Sequence, residues 1–448
     1  MTLQAIPTPV GTSGSADAVC ARAVFLVLGL GALFVAVWPL LLMVSAGRAL
    51  DPVALIAHVS GMLAGYGVLI MLVLMSRWPV LERGIGADRL ARWHAAGGRA
   101  ILGLVLTHAV FAVLAWSLLT RKDPVSALAQ VISWPGLVTA TIATALLCAV
   151  AVASARAARG RLRWETWYFL HLTMYAAIAL SFTHQLAGPD LAGHRWLQIS
   201  WALLYTFTFA LVLRHRFIAP AAAALRHRLR VVAVIAEAPG VVSIVIEGRH
   251  LAELQARPGQ FFRWRFLSTG SWVTAHPFSL SAPVVGNRIR LTVKALGDGS
   301  ERLQRVPLGT RVIAEGPYGA MTAARRTRRD VLLVAGGVGI TPLRALFQTM
   351  PITPGQDLML LYRARDRDQL VFREELDALA AHRQARVIYL LGSDPDLLTA
   401  SSLARLVPGL IDRDVYICAS PGMSTTVRRS LQRAGLASAQ LHEERFAL

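Results

Sequence analysis

The sequence predicts a multi-domain membrane protein: a six-helix transmembrane bundle, then an antiparallel β-barrel, then a parallel α/β domain. Three observations carry this. Six apolar stretches of the length a bilayer requires can be drawn before residue 215. Short β-type runs separated by Gly, Pro and Asn follow Phe217. From Asp330 onward, apolar strand candidates alternate with helical stretches, the pattern of a parallel α/β sheet. The implied division is a tail at 1–20, a membrane domain at 21–217, a barrel at 218–325 and an α/β domain at 326–448.

Composition agrees with several units and a membrane. The 448 residues are 55% hydrophobic and only 16% charged, yet the net charge is +20, so the basic groups must be concentrated in few places. They fall beside apolar runs, without any zinc, RNA-binding or helix-turn-helix signature, so a nucleic-acid partner is not expected. No obligatory protein partner is evident either. Cys20, Cys148 and Cys418 are too few and too scattered for an iron-sulfur centre. Residues 1–20 lack a basic leader, so the first apolar run is expected to remain as a span.

The predicted spans are 23–44, 53–75, 97–119, 134–153, 167–186 and 196–213. Arg77, Arg83, Arg89 and Arg92 lie between the second and third; Arg156, Arg159, Arg161 and Arg163 lie between the fourth and fifth; Arg214 and Arg216 follow the sixth. The opposite loops hold only Arg48, Arg121 with Lys122, and Arg195. This bias places both termini on the cytoplasmic side of a plasma (inner) membrane. Beyond the spans, 219–225 reads as a helical linker, 230–235, 241–246 and 288–293 as barrel strands, and 331–335, 358–362, 386–391 and 415–418 as parallel strands, with a helix at 372–381.

Ionisable groups inside a bilayer are costly and usually functional. His94 and His108 border and occupy the third span, His171 and His184 the fifth. Each pair is separated by about 20 Å along its helix, the spacing two haems stacked across a bilayer would need. Pairing the early histidines with each other and the late ones with each other gives each iron two imidazoles. Fourteen helical steps return nearly to the same face, but thirteen leave His184 roughly 140° from His171, so a straight fifth helix is not expected; a local 3₁₀ segment or kink would help, but the sequence shows none. His58, His194 and His215 read as ordinary hydrogen-bonding histidines.

With these histidines the chain resembles the ferric reductase and NADPH oxidase superfamily of transmembrane flavocytochromes, in which the third and fifth spans each carry two haem ligands. The resemblance extends over nearly the whole chain after residue 20 and is strengthened by the soluble half. His276-Pro277-Phe278-Ser279-Leu280 resembles that family's flavin motif, which implies His276 near the FAD pyrophosphate, Phe278 against the flavin and Ser279 within reach of its reactive nitrogen. Lys294 to Ser300, KALGDGS, is similar to the second flavin motif, with Gly297 and Gly299 allowing a tight backbone and Ser300 meeting phosphate. Glu315-Gly316-Pro317-Tyr318-Gly319 follows in the family's order.

The run VLLVAGGVGITP at 331–342 is a buried strand opening through Gly336, Gly337 and Gly339 into a helix that starts near Thr341 and Pro342, where backbone N–H groups can meet a dinucleotide pyrophosphate. Cys418 to Met423, including Gly422, resembles the later nicotinamide motif, though Ala419 and Ser420 replace its usual glycine and proline. Arg363 and Arg365 follow the next strand, where guanidinium groups would recognise a 2′-phosphate and favour NADPH over NADH. Glu443-Glu444-Arg445-Phe446 resembles the family ending, which implies that Phe446 covers the flavin.

The resemblance therefore implies electron transfer from NAD(P)H through FAD and two b-type haems to oxygen or a ferric chelate, with Ser279, Cys418 and Phe446 at the hydride-transfer centre. Ala112 lies one turn after His108, and His58 stands near the level at which oxygen-reducing relatives offer an arginine, so a quinone-linked acceptor also stays open. Two other readings fit the pattern. One is a flavin reductase merely anchored by its spans; the other is a six-span sensor or transporter with a regulatory nucleotide domain.

Overall fold

The computed structural model describes residues 13–47, 50–158, 160–268 and 274–445. Contacts divide it into two compact units, Thr12–Phe217 and one made chiefly of Ile218–Leu448.

The first unit is all helical: α1 (Ser13–Ser45), α2 (Pro52–Leu74), α3 (Pro79–Ile85), α4 (Ala87–Thr120), α5 (Pro124–Ile132), α6 (Leu137–Ala158), α7 (Trp164–Ala187) and α8 (Arg195–Leu213). Local chemistry sets the starts. Asp51 caps α2 by accepting from the Val53 amide at 2.9 Å, and Asp123 caps α5 through the amides of Val125 and Ser126 at 3.1 Å. Each cap is followed by a proline whose missing N–H costs nothing in a first turn. Among the described residues, five helical stretches are long and apolar enough to cross a membrane: Val19–Ser45, Pro52–Leu74, Arg89–Thr120, Leu137–Ala158 and Arg195–His227. The remaining expected span coincides with α7, whose 24 residues suffice in length but include Thr173, Ser181, Gln185 and two histidines, so it is less apolar.

Thr173 and Ser181 bond carbonyls of α7 itself, and Gln185 is bonded across helices. Gln185 Oε1 accepts from Trp201 Nε1 at 2.9 Å and from the Tyr205 hydroxyl at 2.7 Å. A Cβ at Gly65 would lie 2.9 Å from that oxygen, so the glycine gives Gln185 its room. Between membrane helices, such cross-helix bonds act together with close packing to hold the helices in place. Around them Met62, Tyr66, Leu69, Leu197 and Trp201 form a buried cluster.

The second unit opens with α9 (Ala219–His227), the expected linker helix. Six strands follow, β1 (Arg230–Ala238), β2 (Val241–Glu247), β3 (Phe261–Phe266), β4 (His276–Ser279), β5 (Arg288–Lys294) and β6 (Val312–Tyr318), with α10 (Asp298–Leu303) between the last two. They form two three-stranded antiparallel sheets, β1-β2-β5 and β4-β3-β6, tied by bridges at Arg230 with Arg311 and Leu280 with Leu291. Alternation explains the shared core: Phe262, Trp264 and Phe266 of β3 point inward to meet Ile244, Ile246, Leu291 and Val293.

The final part contains β7 (Asp330–Gly336), α11 (Ile340–Thr349), β8 (Leu358–Ala364), α12 (Arg373–Arg383), β9 (Arg386–Leu391), α13 (Ala400–Leu406), β10 (Arg413–Ala419), α14 (Pro421–Arg433) and β11 (Leu441–Arg445). All five strands are parallel, in the order β11-β10-β7-β8-β9. Leu333 and Ala335 enter one core while Leu332 and Val334 enter the other, so the near-continuous apolar run of β7 reflects burial on both faces. Sequence patterning missed β11, a short strand in which polar residues dominate.

Candidate functional site

Within the helical unit the four span histidines meet in two pairs. The ring centroids of His94 and His171 are 5.9 Å apart, and so are those of His108 and His184. Since the earlier residue of α4 meets the earlier residue of α7, the two helices run parallel. α4 lies closely against α2, and α7 against α6, while α4 and α7 themselves are not closely packed. The spacing argued against a straight fifth helix, yet Trp164–Ala187 is one continuous α-helix. Both pairs form from the unbroken helix, with interplanar angles of 70° in one pair and 45° in the other.

The surroundings suit imidazoles that hold an iron. Nδ1 of His171 is buried and has no hydrogen-bond partner among the described residues, a costly state for a polar atom unless another group takes it up, while the His94 ring has the Met71 backbone beside it. His108 Nδ1 is instead fixed to the Ala57 carbonyl oxygen at 2.8 Å, the kind of bond that orients a ligating ring and sets its tautomer. Gly61 clears the space, because a Cβ there would sit 2.6 Å from that nitrogen. The His171 ring stacks on Trp167, whose Nε1 donates to Ser154 Oγ at 3.1 Å. His58 behaves as expected of a hydrogen-bonding histidine, pairing with Asp190 at 2.9 Å.

In the two-sheet part, β4 carries the first flavin motif. The Trp264 indole donates to the Phe278 carbonyl at 2.9 Å and pins the strand. His276 and Phe278 stack with centroids 5.8 Å apart and planes 16° from parallel, while Pro277 is exposed beside them. Burial, reinforced by Arg302 and Arg265, holds the His276 pKa below the usual imidazole value, so the ring is neutral at pH 7. Its Nε2 and the Ser279 hydroxyl are both buried without a hydrogen-bond partner among the described residues. The second motif closes on the first: a Cβ at Gly299 would lie 2.5 Å from His276 Cε1. Lys294 ends β5 and Gly297 is in extended backbone. Ser300 Oγ accepts from the amides of Leu296 and Gly297 at 2.8 and 3.0 Å, so this hydroxyl shapes the loop.

In the parallel sheet, the glycine turn sits where β7 meets α11. A Cβ at Gly339 would come within 2.1 Å of the Cys418 carbonyl oxygen, and one at Gly336 within 2.5 Å of Met423 Sδ. Gly337 faces open space at φ +55°. Two of the glycines thus let the turn pack on the end of β10, and the third leaves backbone exposed to a ligand. Thr341 and Pro342 are buried in the first turn of α11, where a proline loses no helical bond. Cys418 is fully buried, and burial, with Glu444, pushes its thiol pKa well up. Gly422 lies in the first turn of α14. Arg363 Nη2 donates to the Asp394 carbonyl at 2.6 Å, whereas Arg365 is exposed. Phe446 lies outside the described residues.

Sequence reading missed the ion cluster that joins the two halves of this unit. Glu375 of α12 accepts from Arg290 of β5 at 2.7 and 2.9 Å and from Arg344 of α11 at 2.9 Å. Arg290 also lies 4.6 Å over the Phe372 ring. No spacing rule connects positions so distant in the chain. Gly61, Ala57 and Gln185 escaped notice for the same reason.

Comparison with known proteins agrees with this division. Residues 60–182 match the family described as ferric reductase like transmembrane component, 228–322 the FAD-binding domain and 333–429 the oxidoreductase NAD-binding domain. Together they define a membrane oxidoreductase domain set. The arrangement is that of the ferric reductase and NADPH oxidase-like proteins. The ferredoxin reductase component of 3-ketosteroid-9-alpha-monooxygenase from Mycolicibacterium smegmatis is 30% identical over 47% of this chain and 62% of its own length. Its counterpart in Mycobacterium tuberculosis is 31% identical over the same shares, so the chain spans less than two thirds of these relatives. Among solved structures, the FAD/NAD-binding domain of nitric oxide dioxygenase from Vibrio cholerae is 24% identical, with a TM-score of 0.41 over 49% of this chain and 98% of that one.

Proposed function

We propose that this chain is a transmembrane oxidoreductase that takes electrons from NAD(P)H on the cytoplasmic side and delivers them, through FAD and two bis-histidine b-type haems, to an acceptor such as oxygen or a ferric chelate across the membrane. The observation that carries the reading is the meeting of His94 with His171 and of His108 with His184, each at 5.9 Å. An anchored reductase or a sensor has no need of four imidazoles paired at two depths. In this reading α7 completes a set of six spans, and the arginine-rich ends of the helices face the cytoplasm.

When bound, FAD would supply the conversion of a two-electron donor into single-electron steps, and the haems would supply carriers at two depths. The chain's own groups bind and orient. His94 and His171 would hold the inner haem, and His108 and His184 the outer, with Ala57 fixing the His108 ring. Neutral His276 and the Gly297–Ser300 loop would hold the flavin phosphates, Phe278 would shield the flavin from water, and the Ser279 hydroxyl, unpartnered among the described residues, would bond its reactive edge. The Gly336–Gly339 turn receives the nicotinamide dinucleotide, with Gly422 and Met423 beside it and Cys418 as an inert wall. Arg365 is the better placed of the two arginines for a 2′-phosphate, because Arg363 is already bonded to its own loop. Phe446 is assigned the flavin cover that nicotinamide displaces.

The test is an anaerobic absorption spectrum of the purified protein before and after NADPH, with a pyridine haemochrome assay. About two haems per chain, reduced by NADPH, is the expected result. Flavin reduction without any haem would refute the electron path.

A further inference from the structure

A cleft of about 320 Å³ lies where the start of α1 meets α3 and the start of α4, and none of its lining residues is assigned to electron transfer. Arg22 and Arg89 line it together with Phe25, Trp93, Ala21 and Ile85. Phe25 and Trp93 meet edge to face at 5.2 Å and form an aromatic wall. Both arginines are exposed and make no ion pair with a carboxylate among the described residues. Two unpaired guanidinium groups beside tryptophan, at the end of membrane-length helices, have the chemistry of the headgroup layer.

The surface beyond the cleft extends the argument. Leu26, Leu30 and Leu33 follow Arg22 at helical spacing on α1 and are 65%, 58% and 61% exposed. A cationic pocket therefore opens onto an apolar lane running down the same helix. A soluble phosphate would use only the first of these; a phospholipid uses both.

We propose that this cleft is a binding site for one anionic phospholipid, its phosphate held by Arg22 and Arg89 and an acyl chain lying along Leu26, Leu30 and Leu33. The site rests on the reading of Thr12–Phe217 as a membrane domain, not on the electron path. Because Trp93 precedes His94, the lipid lies next to the α4 turn that carries an inner-haem ligand.

The experiment is native mass spectrometry of the delipidated full-length chain titrated with phosphatidylglycerol or with phosphatidylcholine of the same acyl chains. The variants are Arg22→Gln, Arg89→Gln, the double variant, Arg22→Lys with Arg89→Lys, and Arg156→Gln as a basic helix end elsewhere. One phosphatidylglycerol should bind in preference to phosphatidylcholine. Its affinity should fall roughly thirty-fold in the double glutamine variant, recover in large part with lysines, and stay unchanged in Arg156→Gln. Equal binding of the two lipids, full retention in the double variant, or equal loss in Arg156→Gln would overturn the site. Haem content, measured on the same samples, separates the two proposals: a haem-free chain that still selects phosphatidylglycerol through Arg22 and Arg89 refutes the electron path alone.

Discussion

Gly339 and the Cys418 carbonyl oxygen are so close that a Cβ on the glycine would lie 2.1 Å from that oxygen. The obstacle is backbone, which cannot swing aside. Gly339→Ala should therefore force β10 and the turn apart, at a cost of about 1–3 kcal/mol, and weaken NAD(P)H binding. Gly337→Ala meets no atom and pays only for its left-handed backbone, about 1–2 kcal/mol. Thermal unfolding with flavin reduction kinetics checks the pair; unchanged nucleotide affinity in Gly339→Ala would contradict this account.

Gly61→Ala tests the proposed outer-haem site without replacing either of its proposed ligands. The new methyl would press on His108 Nδ1 and break its bond to Ala57. Haem content should fall toward one per chain, or the midpoint potential of one of two haems should shift while the other is unmoved. Two unchanged haems in a redox titration would show that Gly61 is only a packing residue.

Ser279→Ala separates chemistry from folding. A buried hydroxyl without a partner contributes little to stability, so the melting temperature should barely change. Hydride transfer, losing one positioned hydrogen bond, should slow by roughly ten- to a hundred-fold. Stopped-flow reduction of FAD by NADPH gives the answer; an unaltered rate would remove Ser279 from the site.

Glu375 links pH to the joint between the sheets. Burial alone would raise its pKa, but the bonds and charges of Arg290 and Arg344 outweigh that and hold it below the usual carboxylate value. The folded pKa is depressed, so the stabilisation is complete above the unfolded value of about 4.3 and is lost as pH falls through the folded one. Melting temperature should drop more steeply below about pH 4 in the native protein than in Glu375→Gln. The variant should be less stable at pH 7, because two arginines lose their shared carboxylate. Parallel pH curves for the two proteins would exclude this role.

Cys418 should resist alkylation in the folded protein at pH 8, since its thiol is buried and its pKa raised, whereas exposed Cys20 should react readily. Peptide mapping after a timed iodoacetamide pulse distinguishes the two. Fast labelling of Cys418 would mean that the end of β10 opens in solution.

The sequence by itself determined the elements whose signal is local and periodic. Apolar runs of bilayer length became α1, α2, α4, α6 and α8, and the buried strand and glycine turn at 331–342 became β7 and the start of α11. Spacing along single helices also marked His94, His108, His171 and His184 as residues needing an explanation. Tertiary structure decided what those signals could not contain. Span 167–186 was legible as α7, but nothing in its composition shows that Gln185 is satisfied by Trp201 and Tyr205 of another helix. Rotation by 100° per residue argued against a straight α7, yet both histidine pairs form from an unbroken helix. The Arg290–Glu375–Arg344 cluster and the closeness of Gly61 to His108 depend on residues brought together by folding from distant parts of the chain. Periodicity records how one element faces its surroundings; which atom of another element stands there is settled only when the chain packs.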